Sequence, residues 1–334
     1  MRNRIALSIV LITVVLLIGM EPAAAINSKA GTHAYAFLKI PAGAKAPAMG
    51  GAYTGIAGDA YAVYYNPAGI AVLPGSEVTA SYNNYLSDIQ GGYLSYIFDW
   101  TRKGKLGVTV NYLNYGDTPK LDGNGNELGE FGAGALALSL TFAKKWERGE
   151  EDYSPMEDET YPENALSGFA VGASAKFIYE SIDDYSSDAV AIDLGLQYGL
   201  KDRRTSVGVS ASNLGFQLKG LSSGHKDPLP AIVRAGIGHS LKAMPLTIAV
   251  DAIKPFDNDF RLGAGVNFTQ FEQLELRVGY NTIGEDYKTG SDSDDWGGIS
   301  FGAGLKIDKF VLDYAYIPFA DLGNSHRLAI SSRW

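Results

Sequence analysis

From residue 77 onward the chain alternates bulky apolar residues with small or polar ones. In Leu136–Phe142, Leu136, Leu138, Leu140 and Phe142 share one face, while Ala137, Ser139 and Thr141 share the other. Val190, Ile192, Leu194, Leu196, Tyr198 and Leu200 alternate in the same way with Ala191, Asp193, Gly195, Gln197 and Gly199. The pattern recurs at 106–112, 260–268, 274–280 and 299–307. A strict period of two is a β-strand with one apolar face. The second face is rich in Gly, Ala, Ser and Thr, not in the Lys and Glu that a water-facing sandwich would carry. That combination suits a closed barrel whose apolar face meets lipid and whose small-residue face lines the interior. Arg in place of Leu138 is then expected to cost ~2–4 kcal/mol, and Arg in place of Ser139 far less if the interior has room.

Fourteen such segments have the ~9–11 residues that a tilted membrane strand requires. They are placed at 77–86, 91–99, 105–113, 132–145, 166–180, 188–200, 204–213, 231–241, 245–253, 260–268, 273–281, 297–307, 310–318 and 325–334. The expected fold class is all-β, an antiparallel transmembrane barrel of about 14 strands. An even number of strands places both termini on the periplasmic side, with short turns there and long connections outside. Asn114–Phe131, Leu214–Pro230 and Thr282–Trp296 are the long connections expected outside. The acidic stretch Trp146–Ala165 breaks the rule, being long where a short turn is expected.

The first residues carry a different pattern. Arg2 and Arg4 precede an apolar run from Ile5 to Met20, followed by Glu21-Pro22 and Ala23-Ala24-Ala25. The run is shorter than a helical span needs, and small residues follow it, so residues 1–25 read as a secretory signal peptide cleaved near Ala25. Export and period-two strands together point to the outer membrane of a Gram-negative-type bacterium. The expected domains are the signal peptide 1–25, an N-terminal hatch segment 26–76 and the barrel 77–334.

Composition removes other classes. The chain holds 40 Gly and 20 Tyr in 334 residues, no Cys, and a formal net charge of −9. Without Cys there is no thiolate metal site, disulfide scaffold or thiol nucleophile. The acidic balance argues against nucleic acid as a partner. No enzymatic activity and no cofactor are expected: no Gly-x-Ser-x-Gly elbow is present, and the four His lack metal-ligand spacing. Asp122, Asn124 and Asn126 have the odd-position oxygens of a calcium loop, but Glu127 and Ala133 stand where Gly and Glu are needed, so an external polar loop is the expectation. No catalytic or metal site is assigned.

Charges on the strands sort to the small-residue face. Lys176, Asp193, Arg234, Asp251, Arg261, Glu275, Arg277, Lys306 and Asp313 are all expected in the lumen. Five basic and four acidic groups do not make a charge-selective ring; they suit pairs that hold an interior plug, or groups solvated in a wide lumen. A plug has a physical reason. About eight strands fill with side chains, 16–18 leave an aqueous channel, and about 14 lies between. Residues 26–76 are available to fill it. At the other end of the chain, Leu328, Ile330 and Trp334 share one face of a strand that finishes on an aromatic residue, the signal expected by the barrel-assembly machinery.

The segment before the first strand is distinctive. It holds Phe37-Leu38-Lys39-Ile40, then Ala48-Met49-Gly50-Gly51-Ala52-Tyr53, then Asp59-Ala60, then Tyr65-Asn66-Pro67-Ala68-Gly69. These blocks closely resemble the opening of the PorV/PorQ family of outer-membrane proteins, and the Asn-Pro-Ala step is shared with the wider FadL-like group. The resemblance implies a 14-stranded barrel with a hatch inside, turned at Asn66, Pro67, Ala68 and Gly69. It implies a role in protein secretion or surface attachment of the type IX kind, with exported cargo or secretion components as partners. The alternative it implies is FadL-like uptake of fatty acids or other hydrophobic small molecules. Outer-membrane lipid is a partner on either reading.

Overall fold

The computed structural model describes residues 29–334 except 57, 88, 101–103, 148–164, 223, 242–243 and 288–289. The signal peptide expected at 1–25 lies outside these residues. The strands are β1 (Glu77–Asn84), β2 (Gln90–Asp99), β3 (Lys105–Leu121), β4 (Glu127–Glu147), β5 (Gly168–Ile182), β6 (Tyr185–Gly199) and β7 (Thr205–Lys219). They continue as β8 (Ile232–Ser240), β9 (Leu246–Pro255), β10 (Arg261–Phe268), β11 (Leu274–Asn281), β12 (Ile299–Ile307), β13 (Phe310–Pro318) and β14 (Asn324–Arg333). Each pairs antiparallel with its neighbour in sequence, and β1 closes on β14, with Glu77 opposite Arg333 and Asn84 opposite His326. The result is a closed barrel of fourteen strands.

The alternation sets the two faces. On β4, Leu138, Leu140 and Phe142 are 43 %, 58 % and 38 % exposed, whereas Ala137, Ser139 and Thr141 between them are 3 %, 8 % and 0 % exposed. An apolar side chain left outside is stable only against lipid or a partner, so the exposed Leu, Val and Phe form a lipid-facing belt.

Two expectations about connections change. Asn114–Phe131 is not a long loop. β3 continues to Leu121 and β4 begins at Glu127, paired through Thr118–Phe131 and Pro119–Glu130 with register shifts near Asn114 and Lys120. This extension carries Asp, Asn, Glu and Gly on both faces, so alternation cannot reveal it. β7 likewise runs on to Lys219, and β5 and β6 meet across two residues, 183–184. Long connections at the far end are confined to 220–231 and 282–298. Because β4 ends and β5 begins at the end that holds Glu77 and Trp334, the acidic connection is an insertion at that near end; its residues 148–164 lie outside the described ones.

The core lies inside the barrel and not between sheets. Residues 29–76 run through the lumen as short turns: 3-10 helices at Ala36–Lys39, Pro47–Met49 and Pro67–Val72, and the one-turn α1 (Ala62–Tyr65). Tyr53, Tyr61, Tyr65, Met49 and Ile70 on this segment are at most 2 % exposed. The segment crosses the whole barrel. Ala34 N–H donates to Pro228 O at the far mouth (3.1 Å), and Ser76 exchanges backbone bonds with Trp334 at the near mouth (2.8 and 3.0 Å). The two ends of the barrel sheet share one side, as parity requires, but the start of the described chain is on the other.

Candidate functional site

The chain turns sharply between α1 and the 3-10 helix that follows. Asn66 is extended (φ −157°, ψ 102°), as expected for a residue before proline. Its Oδ1 accepts from Ala68 N–H (3.2 Å), and its Nδ2 donates to Thr54 O and to Leu196 O of β6 (both 3.0 Å). Pro67 takes the first helical position, where its missing N–H costs nothing. Gly69 sits inside the 3-10 helix and is not among the residues of positive φ, so the reversal rests on Asn66 and Pro67 and needs no glycine freedom at Gly69. Ala68 is wholly buried beside it.

The barrel has a socket for this turn. A Cβ added to Gly195 would stand 2.2 Å from Asn66 Oδ1, and one on Gly172 would stand 2.4 Å from the Pro67 carbonyl. On Gly208 it would stand 2.1 Å from Thr54 O. Contacts this short cannot be relieved where the neighbour is backbone. The small-residue face of β5, β6 and β7 is therefore shaped to the hatch, and Ser210 of β7 adds a bond to Tyr65 O (2.7 Å).

The nine strand charges divide into four groups. Asp251 is fully buried and accepts from Tyr53 N–H (3.0 Å) and Thr54 N–H (2.8 Å), fixing the preceding turn of the hatch. Arg234 lies 5.3 Å from the ring centroid of Tyr64, also on the hatch, and donates to Ser212 (3.3 Å). Lys176 pairs with Asp193 (2.7 Å), whose other oxygen accepts from Asn213 N–H (2.7 Å). Asn213 has φ 60° beside a register shift, so this pair secures a bulge in the wall. Arg277 bridges Asp313 and Glu275 (2.5 Å each), and Lys306 joins Glu275 (2.8 Å). Arg261 reaches Asp286 of the far loop (3.5 Å). Asp251 and Arg234 thus touch the hatch, six of the others pair across the wall, and Arg261 turns to the far loop.

Other anchors were not singled out by charge sorting. Asn281 donates to Gly50 O (2.7 Å), Gln197 to Gly55 O (3.0 Å) and Ser206 to Gly55 O (2.5 Å). Glu77 accepts from Ala60 N–H (2.8 Å), Lys39 pairs with Asp257, and Arg327 donates to Pro41 O. Three of these six, Asn281, Gln197 and Ser206, are uncharged donors meeting hatch carbonyls, which no charge pattern marks. Their inward positions on alternating strands were the available signal.

At the near end a cavity of about 880 Å³ lies between hatch and wall. Lys45, Asp59, Glu77, Arg277, Lys306 and Asp313 line it, so it is polar. At the far end Tyr85, Phe319 and Tyr287 pack edge to face, with centroids 5.5 and 5.1 Å apart. The Asp122 carboxylate accepts from Asn124 N–H (2.8 Å), Asn126 N–H (2.9 Å) and Asn126 Nδ2 (2.8 Å). These donors hold its pKa below the usual carboxylate value. Its oxygens are spent on closing the β3–β4 hairpin. Leu328 and Ile330 face outward on β14, and Trp334 stacks on Tyr96 with centroids 6.0 Å apart.

No family model and no curated protein matches the chain. Solved structures do. The Ralstonia pickettii toluene transporter TbuX aligns over 89 % of this chain and 99 % of its own, with TM-score 0.57 and 13 % identity. The Pseudomonas putida toluene transporter TodX aligns over 86 % and 96 %, with TM-score 0.56 and 14 % identity. A Pseudomonas aeruginosa FadL homologue aligns over 88 % and 98 %, with TM-score 0.53 and 10 % identity. At such identity the likeness is one of fold: an outer-membrane barrel of the FadL-like kind.

Proposed function

We propose that this chain is a channel for small hydrophobic molecules in an outer membrane, held shut at rest by its own N-terminal segment. The observation that carries the reading is the alignment with two toluene transporters over nearly their whole length. The lipid-facing belt, the closed barrel and the filled lumen support it. In this reading the end bearing Trp334 is periplasmic, and β14 with Leu328, Ile330 and Trp334 serves as the assembly signal. The test is uptake of radiolabelled toluene by proteoliposomes. Vesicles holding the folded barrel are expected to fill several-fold faster than empty ones, and equal rates would overturn the channel.

A second reading has its own observation. The hatch is bonded to the wall at every level, from Pro228 at one mouth to Trp334 at the other. A fixed plug suits a docking barrel for exported proteins, as the resemblance to the PorV/PorQ family implies. Binding of a purified type IX sorting domain to the folded barrel, without toluene flux, would favour this reading over the first.

A further inference from the structure

Asp251 of β9 is 0 % exposed, and among the described residues it forms no salt bridge. The charged group acting on it most strongly is Arg234. That guanidinium is turned away, to the Tyr64 ring at 5.3 Å and to Ser212 at 3.3 Å. The carboxyl is used unevenly. Its Oδ2 accepts from Tyr53 N–H (3.0 Å) and Thr54 N–H (2.8 Å) of the hatch. Its Oδ1 is buried without a partner, and so is Thr54 Oγ1, whose side chain stands beside the carboxyl. Other lumen carboxylates are matched: Asp193 by Lys176, Glu77 by Arg333, and Glu275 and Asp313 by Arg277. A buried charge with no counterion is strongly unfavourable.

The wall on either side offers nothing to pair with it. Asp251 lies opposite Gly236 of β8 and Gly263 of β10. A Cβ on Gly236 would stand 2.0 Å from Oδ1, so the carboxyl rests on a glycine floor under the hatch. Arg234 on β8 and Arg261 on β10 both sit one step away, opposite Ile253, and Arg261 is paired with Asp286. On the hatch the facing titratable group is Tyr53, whose hydroxyl donates to Asp59. The Thr54 hydroxyl can supply a hydrogen bond but no charge. A metal ion needs several oxygen ligands. The carbonyls of this turn are already taken: Thr54 O accepts from Asn66, and Gly55 O accepts from Gln197 and Ser206. A proton fits. On Oδ1 it removes the unpaired charge, leaves Oδ2 as the carbonyl oxygen that the two N–H groups need, and finds Thr54 Oγ1 as its acceptor.

We propose that Asp251 is a proton latch for the hatch: with the hatch seated, its carboxyl is held as the neutral acid, donating from Oδ1 to Thr54 Oγ1, and loss of that proton loosens the turn at 53–55 from the wall. With the hatch lifted, the carboxyl meets water and ionises at little cost. With the hatch seated, ionisation leaves a buried charge unpaired. Protonation therefore favours the seated state. Its contribution is complete at acid pH and is lost as pH rises. The latch is independent of what the barrel carries or docks.

The experiment is hydrogen exchange on the full folded barrel in an uncharged detergent, comparing about pH 5 with about pH 9 after correction for the intrinsic exchange rate. Protection of the amides at 53–55 is expected to fall about tenfold or more in the parent, tenfold being the effect of about one pH unit of difference in proton affinity between seated and lifted states. Asp251→Asn mimics the neutral acid. Its amide oxygen serves the two N–H groups, its amide nitrogen donates to Thr54 Oγ1, and it carries no charge at either pH. The variant is expected to keep the parent's acid-pH protection throughout. No fall in the parent would overturn the latch. The same fall in Asp251→Asn would assign it to another group, and poor protection of Asp251→Asn at both pH values would show that the charge itself holds the turn; either result overturns the proposal. Heat-modifiable migration checks that each variant assembles. Thr54→Val supplies a second arm should Asp251→Asn fail to fold. Without the Oγ1 acceptor the neutral acid is less favoured, so the midpoint of the loss is expected to move toward acid pH. A midpoint unmoved or moved toward alkaline pH would overturn the donation to Thr54. Toluene flux is no part of the readout, so failure of the channel reading leaves the latch standing, and failure of the latch leaves the channel.

Discussion

Asn66 joins three stretches of chain through one side-chain amide: its own turn, the Thr54 turn and strand β6. Asn66→Ala leaves those buried groups without partners, each costing about 1–3 kcal/mol. The loss falls on hatch seating and not on barrel pairing. Limited proteolysis is expected to cut within 53–72 in the variant while the barrel still migrates as folded; a variant as resistant as the parent would show that the turn is held elsewhere. How such residues could be read from sequence depends on their chemistry. Asp251 and Arg234 were legible because a charge on an apolar strand must face inward. Asn281, Gln197 and Ser206 were not, because a neutral donor is tolerated on either face. Arg327 was hidden by its position within the terminal strand, where alternation drew attention to Leu328, Ile330 and Trp334 instead.

Strand β4 shows how an element divides its two faces. Leu138 faces lipid, so Leu138→Arg is expected to cost ~2–4 kcal/mol and to lower the yield of folded barrel. Ser139 is buried, 8 % exposed, on a strand that packs against the hatch helix 67–72, and is not set in a roomy lumen. Ser139→Arg therefore overpacks a filled interior, at about 1–3 kcal/mol, and the mildness expected from sequence disappears. The two variants should fail differently in one assay: the first in heat-modifiable migration, the second in protease resistance of residues 60–72. Identical failure would mean that the faces are not lipid and hatch. The fourteen strands were legible because lipid enforces alternation. The β3–β4 extension was not, since beyond the lipid both faces of a hairpin meet water and period two carries no penalty for being broken.

At the scale of the molecule, a closed ring of fourteen strands has room inside, and residues 29–76 take it up. Little steady conductance is expected from the intact protein in planar bilayers. Asp251→Ala combined with Asn66→Ala should give larger, noisy openings, because it removes the anchors of two successive turns. Large steady currents from the intact barrel would contradict the filled lumen. The path of that segment, from Pro228 at one mouth to Trp334 at the other, has a consequence for how the protein comes into being. A strand ring already zipped at β1 and β14 offers no side entrance for forty-odd residues carrying bulky tyrosines, and feeding them in lengthwise would strip every wall contact in turn. The hatch also precedes the ring in synthesis and is tied to β1 by the few residues after Val72. The order of birth is therefore plug first, staves next, hoop last: the seam closes around a guest already aboard.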